Sequence, residues 1–420
     1  MDGHRIEVRR QVSLVGIGMG ALGTFTMEAV RAIRESDCVI GAKRMLEAAS
    51  AAREETGADA KGTKVICCAY QPEQIREILA THPQCRKIVV LYSGDIGFYS
   101  GAREVYQVLK DDYEVKEIPG ISSVICFAAR LHVSWEDARL ISIHGRKQPY
   151  IHILARHPKT FLLFGGSGQE EEFCQRIREY GLTHLKIWIG GSLSYEEESI
   201  LYRTGEEIRP EDLRGLVILY IENPSPLALQ NGQIRDDAFI RGNVPMTKEE
   251  VRAISIAKLE LSGDAVLYDV GAGTGSIAVT AAALYENVRV YAVEKKAEGV
   301  ELICKNRRKF CADQLEIIEG TAPEALRDLE PPTHVFIGGS SGNLREILSC
   351  IRGKSPGVRV VLNAVTLETM KEILIAEEEG LLTETEILQA GIVKARRLAG
   401  YHMMTGQNPV YIVSARVEDG

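Results

Sequence analysis

Asp269, Glu294 and the glycines between them are the residues whose types and spacing could do chemistry. Val270 separates Asp269 from Gly271-Ala272-Gly273-Thr274-Gly275, and Glu294 follows 19 residues after Gly275. A strand running into closely spaced glycines lets backbone approach a ligand where a Cβ would collide. The third glycine of a dinucleotide fingerprint would fall at Ser276, which disfavours a nicotinamide cofactor. Glycines spaced GxGxG suit a ligand without pyrophosphate, curled around an amino acid and a sugar. A carboxylate at the next strand tip can then accept both ribose hydroxyls. A second glycine turn, Gly16-Ile17-Gly18-Met19-Gly20, follows the apolar run 12–15, but there Val39-Ile40-Gly41-Ala42 supplies no acid. Two glycine turns in unlike contexts point to two fused ligand-binding domains.

The bulk properties agree. A chain of 420 residues exceeds what one core supports, so two domains of about 200 residues each are expected. A net charge of −8 argues against broad attraction to nucleic acid. Nine cysteines without a CxxC pair suit reduced thiols and no metal site. The sequence shows neither a signal peptide nor an apolar run of about 18 residues, so a cytoplasmic protein without a membrane partner is expected.

The elements that must position these residues follow from periodicity. In the first half, residues 12–15, 87–91, 160–164 and 216–221 read as strands. Thr24 or Thr26 is placed to cap a helix turning Met27, Val30, Ala32 and Ile33 inward. Glu222-Asn223-Pro224-Ser225-Pro226 stops regular structure, giving domains 1–222 and 244–420 around a linker at 223–243. In the second half, strands at 265–270, 288–293, 315–318, 334–337 and 359–362 alternate with helices. That rhythm predicts an α/β fold, a doubly wound and mostly parallel sheet. Two last strands, 384–388 and 410–414, are expected to be separated by a loop and to form an antiparallel edge. Thr247 is placed to cap a helix through Leu259, with Glu250 at its capping-box position.

Ahead of the linker, Leu91-Tyr92-Ser93-Gly94-Asp95-Ile96-Gly97-Phe98 and Ile118-Pro119-Gly120-Ile121-Ser122-Ser123 join the first glycine turn. In this order they resemble the motif set of the tetrapyrrole methylase family, over roughly residues 10–222. The resemblance implies two α/β subdomains with S-adenosylmethionine (SAM) in the cleft between them. It implies that Ser93, Gly94, Asp95 and Ile96 line the SAM pocket and that Ser122 and Ser123 meet its methionine end. Gly16, Gly18 and Gly20 would lie on the tetrapyrrole side. Ile96 and Met19 stand where many members of that family have proline. His144 and Arg146 are candidates for gripping a carboxylate arm, as are Arg396, Arg397 and His402 in the second half.

Asp269, Gly271, Gly273, Gly275 and Glu294 resemble the SAM site of Rossmann-like methyltransferases. There the loop holds the methionine part and the acid holds the ribose, and Gly320 and Thr321 would flank the adenine. Pro245-Met246-Thr247 and the small-residue loop Gly338-Gly339-Ser340 resemble the corrin-pathway C15 methyltransferases, which also decarboxylate an acetate. Thr247, Gly338, Gly339 and Ser340 would border the SAM and substrate cleft. That loop lacks the Asp-Pro-Pro-Tyr pattern of amino-group methylases, which favours methylation of carbon. Together the resemblances imply one SAM per domain and a precorrin or cobalt-precorrin substrate of the 6B type. It would be methylated at C5 and C15 with loss of the C12 acetate carboxyl, by a homo-oligomer using no covalent nucleophile. The alternative is a SAM-dependent RNA methyltransferase, against which the acidic charge counts.

Overall fold

The computed structural model describes residues 9–55, 65–144, 148–165, 168–228 and 234–418. The chain divides into two compact units. The first gathers Met1–Lys147, Lys159–Cys174 and Leu185–Glu222, and the second gathers Gln148–Pro158, Gln175–His184 and Asn223–Gly420. No helix among the described residues is long and apolar enough to cross a membrane.

The first unit begins with β1 (Gln11–Gly16), α1 (Met27–Glu35), β2 (Cys38–Gly41), α2 (Lys43–Glu55) and β3 (Val65–Cys68). It continues with α3 (Pro72–Thr81), β4 (Lys87–Tyr92), α4 (Ala102–Leu109), β5 (Glu114–Ile118) and α5 (Ser123–Leu131). The strands form a parallel sheet in the order β3-β2-β4-β1-β5. Val12, Leu14 and Val15 of β1 are all buried, as a parallel strand covered on both faces requires. Thr26 caps α1, accepting from the Ala29 N–H at 3.1 Å. The buried stripe of α1 is Ala29 and Ile33, whereas Met27, expected inward, is 78% exposed. At 100° per residue Met27 falls on the opposite side of the helix from that stripe.

A second sheet follows from β6 (Arg139–Ser142), β7 (Lys159–Phe164), β8 (Lys186–Gly191), β9 (Ser199–Thr204) and β10 (Val217–Glu222). Its order is β6-β7-β10-β8-β9, with β10 antiparallel to both neighbours. Phe161 anchors its core, its ring centroid 6.4 Å from Phe127 of α5 and 4.8 Å from Tyr220 of β10.

The second unit takes α6 (Ile151–Arg156) and the end of α7 (Glu170–Glu179) from the first half of the chain. Its main body runs α8 (Glu249–Leu259), β11 (Val266–Val270), α9 (Ser276–Leu284), β12 (Arg289–Glu294), α10 (Ala297–Lys309) and β13 (Leu315–Glu319). Then come β14 (His334–Ile337), α11 (Leu344–Lys354), β15 (Arg359–Ala364), α12 (Leu367–Glu378) and β16 (Leu382–Ala390). The chain closes with β17 (Val393–Leu398), β18 (Tyr401–Gly406) and β19 (Val410–Val417). The sheet order is β13-β12-β11-β14-β15-β19-β16, with β19 antiparallel to β15 and β16. The expected antiparallel edge is therefore present. The expected loop before β19 is instead a separate hairpin of β17 and β18, exposed along its whole length.

Asp313 fastens α6 and α7 to this unit. Its side chain has no exposure and accepts from the backbone N–H groups of Tyr150, Ile151 and His152 at 2.9, 2.9 and 3.0 Å. It also takes the His152 imidazole through Nδ1 and an Arg176 guanidinium nitrogen, each at 2.6 Å. The donors outweigh burial, and the carboxyl is held down at about 2.

Candidate cofactor and substrate sites

The second unit has a cavity of about 270 Å³ at the carboxyl ends of β11, β12 and β14. Gly271, Gly273 and Gly275 all take left-handed backbone angles, with φ of +72°, +60° and +75°. At Gly273 a Cβ would also lie 2.9 Å from the Pro245 carbonyl oxygen, so only glycine fits the turn. Asp269, at 1% exposure, accepts from the Ala278 N–H through Oδ2 at 3.0 Å. Its Oδ1 is buried and has no partner among the described residues. Burial pushes this carboxyl up to about 7; the Ala278 N–H opposes the rise and the charge of Glu294 adds to it. A buried oxygen left unbonded beside a cavity is one a cationic donor would satisfy.

Glu294, at 7% exposure, accepts from Gly273 N–H through Oε2 and from Lys296 N–H through Oε1, each at 2.8 Å. It ties the glycine loop to the start of α10, and each oxygen keeps a further lone pair. That fit needs Gly299, where a Cβ would lie 2.6 Å from Glu294 Cγ. Sequence reasoning missed Gly299, whose only signal is a glycine in the first turn of a helix.

Thr247 lines the same cavity, but the helix it was expected to cap starts later. Lys248 is the N-cap of α8 and makes no side-chain bond, and the capping box with Glu250 is absent. The Thr247 carbonyl is taken instead by the buried Arg252 guanidinium at 2.7 Å, which also bonds Asp236 at 3.1 Å. Arg252 so holds the lip of the cavity in place. Gly320, Thr321, Gly338, Gly339 and Ser340 complete the lining. Gly275 lies behind it, as the N-cap of α9 packed on Ile303. Lys295 and Lys296, not singled out from the sequence, line the cavity too. Arg396, Arg397 and His402 sit on the β17–β18 hairpin and not among the lining residues.

The first unit has its own cavity of about 270 Å³, lined by Ser93, Gly94, Asp95, Ser122, Ser123 and His144. Asp95 accepts from Gly97 N–H at 2.8 Å and Gly120 N–H at 3.1 Å, locking the turn after β4 to the turn after β5. Ser122 caps α5 through the Val124 N–H at 3.2 Å. Of the first glycine turn only Met19 reaches the lining. Gly16 packs backbone on backbone, a Cβ there lying 2.7 Å from Gly120 N and from Gly94 O. Gly18 bridges to Gly94, and Gly20 lies against the Tyr195 ring. Ile96 lines a neighbouring surface groove, and Arg146 falls outside the described residues. Arg44, which donates to Ser93 Oγ at 3.3 Å, and Tyr195 are lining residues that the sequence did not single out.

A mostly parallel sheet with a glycine loop after β11 and a buried acid at the tip of β12 defines the Rossmann-like methyltransferase class. The tetrapyrrole (corrin/porphyrin) methylases match residues 11–209, and the precorrin methyltransferase domain matches residues 237–416. A probable cobalt-precorrin-6B C(15)-methyltransferase (decarboxylating) of Pyrobaculum calidifontis is 39% identical over 185 residues, 43% of this chain and 94% of its own. A precorrin-6Y C(5,15)-methyltransferase [decarboxylating] of Sinorhizobium sp is 27% identical over 415 residues, 96% of this chain and 95% of its own. A crystal structure of precorrin-6y C5,15-methyltransferase from Geobacter metallireducens is 38% identical, covers 44% of this chain and 97% of its own, and has a TM-score of 0.42. The chain belongs to the precorrin methyltransferase family. Both matched families act within tetrapyrrole chemistry, and the RNA methyltransferase alternative finds no support in them.

Proposed function

We propose that this chain is a bifunctional, SAM-dependent C-methyltransferase of cobalamin biosynthesis. Its second unit would methylate C15 of a precorrin-6B or cobalt-precorrin-6B type of tetrapyrrole and release the C12 acetate carboxyl as carbon dioxide. Its first unit would methylate C5. The domains would be 1–222 and 244–420, joined through 223–243, with one SAM in each. The observation that carries the reading is the cavity beside β11, lined by Asp269 with its unpartnered Oδ1, in a chain that matches both methylase families in fused order.

The residues present fit SAM. Asp269 would receive the ligand ammonium, Glu294 the ribose hydroxyls, and the bare backbone of Gly271 and Gly273 the methionine stem, with Gly320 and Thr321 beside the adenine. In the first unit Ser93, Gly94, Asp95, Ser122 and Ser123 would hold the second copy. When bound, SAM supplies an already activated methyl group, so the protein's part is alignment. Orientation alone can supply roughly 7–11 kcal/mol of a barrier. Arg252, by fixing the Thr247 carbonyl, and Glu294, by fixing Gly273, are the groups that keep that alignment.

Self-association is part of the proposal. The β17–β18 hairpin exposes Val393, Leu398, Tyr401, Met403 and Met404, and a two-stranded ribbon bare on both faces is marginal in water. A monomeric mass by light scattering would count against it. The decisive test is anaerobic incubation of the full chain with SAM and cobalt-precorrin-6B. Two methyl transfers and one carbon dioxide are expected per turnover; no methyl transfer would refute the function.

A further inference from the structure

The cavity of the second unit is layered by charge. Its carboxylates, Asp269 and Glu294, are at the buried floor, at 1% and 7% exposure. Its cations, Lys295 and Lys296, are exposed at the rim. Neither lysine has a carboxylate partner among the described residues, although the chain carries 58 acidic side chains against 50 basic ones. Lys258, Arg289, Lys305 and Arg308 of the same unit are paired, whereas Lys248, Lys309 and Lys371 have no carboxylate partner among the described residues, so it is their place at the cavity that sets Lys295 and Lys296 apart. Lys295 Nζ instead donates to Ser341 Oγ at 2.9 Å, reaching from the end of β12 to the loop after β14.

That loop is shaped to stay bare. Ser341 holds a left-handed φ of 55° without being glycine. On either side of it, a Cβ at Gly339 or Gly342 would meet nothing within 4 Å. One wall of the rim is therefore open backbone at Gly339 and Gly342, and the other carries two ammonium groups without carboxylate partners. A cationic ligand is favoured at the floor and a flat, polyanionic one at the mouth.

We propose that Lys295 and Lys296 are the carboxylate-receiving pair of this site, and that they bind the acidic side arms of the tetrapyrrole while the backbone of Gly339 and Gly342 faces its ring. The inference rests on the function proposed above. Lys295 exchanges the neutral Ser341 hydroxyl for a carboxylate when the macrocycle enters, which places the ring edge between β12 and the β14 loop.

The test uses the full chain and the variants Lys295→Gln, Lys296→Gln, both together, and Lys295→Arg. S-adenosylhomocysteine binding is measured by calorimetry, and cobalt-precorrin-6B binding by anaerobic absorbance titration at low and high salt. Each glutamine variant should weaken macrocycle binding about 1.5-fold to fivefold, the scale of an exposed charge pair. The double variant should flatten its salt dependence, the arginine variant should retain it, and S-adenosylhomocysteine affinity should stay within about twofold. Unchanged macrocycle affinity and salt dependence in the folded double variant would overturn the inference while leaving the function standing. So would a parallel loss of S-adenosylhomocysteine affinity, which would make the lysines cofactor contacts. A wild-type chain that binds neither ligand would refute the function and this inference with it.

Discussion

Replacing Asp269 by asparagine should make the second unit more stable and less able to bind, by an amount that depends on pH. The carboxyl titrates near 7 in the folded chain, against about 3.9 when unfolded. The folded state thus holds the proton more tightly, so no penalty is present below the unfolded value. Stability is lost as pH rises from about 4 through about 7. The full loss, about three units at 1.36 kcal/mol each, comes to about 4 kcal/mol, of which about 2–3 kcal/mol falls between pH 5 and pH 8. Asparagine has nearly the same shape, can still accept from the Ala278 N–H, and carries no charge to desolvate. Its advantage over the wild type should therefore grow by that 2–3 kcal/mol across the same interval. Denaturant-dependent hydrogen exchange at β11 and α9 amides reads this unit without averaging over the other. Calorimetry at pH 6 supplies the other half of the test. A ligand ammonium beside Oδ1 favours the carboxylate, so S-adenosylhomocysteine should release up to about one proton from the wild type that Asp269→Asn does not release. A stability difference flat with pH, or equal proton release from both proteins, would refute the reasoning.

Glu294→Ala strips the acceptor from the Gly273 and Lys296 N–H groups and should cost about 1–3 kcal/mol. It should raise the SAM requirement of C15 methylation and leave C5 methylation intact; equal loss of both steps in a folded protein contradicts two separate sites. Gly273→Ala forces a side chain onto a left-handed backbone against the Pro245 carbonyl, which should cost about 1–3 kcal/mol of unfolding free energy and abolish S-adenosylhomocysteine binding to the second unit. Asp313→Asn leaves the Arg176 guanidinium without its counter-charge and takes a carboxylate acceptor from His152, and should cost about 3–5 kcal/mol. Because the Asp313 carboxyl is held down at about 2, its contribution is present above about 4 and fades as pH falls toward about 2. The acid-unfolding curve of the asparagine variant should be flatter over that interval, and an unchanged curve would mean that the carboxylate is not the anchor.

The path from β11 through the glycine loop to Glu294 was legible because each step has a local cause: an apolar run, a left-handed turn and an acid at a strand tip. The start of α8 was not, because Arg252, five residues on, recruits the Thr247 carbonyl and shifts the cap to Lys248. The β17–β18 hairpin was hidden for two reasons. Alternation is confined to Val393-Lys394-Ala395-Arg396 of β17 and is missing from β18, whose two faces are both bare. Its turn puts Ala399 and Gly400 both at positive φ, 47° and 88°, and alanine is a poor advertisement for such a turn. In the first unit a glycine that packs loop on loop, such as Gly16, looks the same in sequence as one that faces a ligand. The lysines at the mouth of the second cavity carry no spacing signal at all. Their place is visible only once β12 and β14 end on either side of β11.

The Asp313 anchor bears on how such a chain can change over generations. The groups that satisfy this carboxylate come from residues 150–176, within the stretch matching one methylase family, while Asp313 lies in the stretch matching the other. A break between residues 222 and 237 would leave the acid facing water or apolar surface with none of those donors. The region before the break would lose the acceptor for Arg176 and His152. The Pyrobaculum calidifontis relative matches the second half over 94% of its own length. In this chain separation would have to be bought back by new surface residues on both sides of the cut. Fusion therefore works here as a ratchet: each internal donor that replaces water makes return to two independent genes harder, whatever the two reactions gain from sharing a polypeptide.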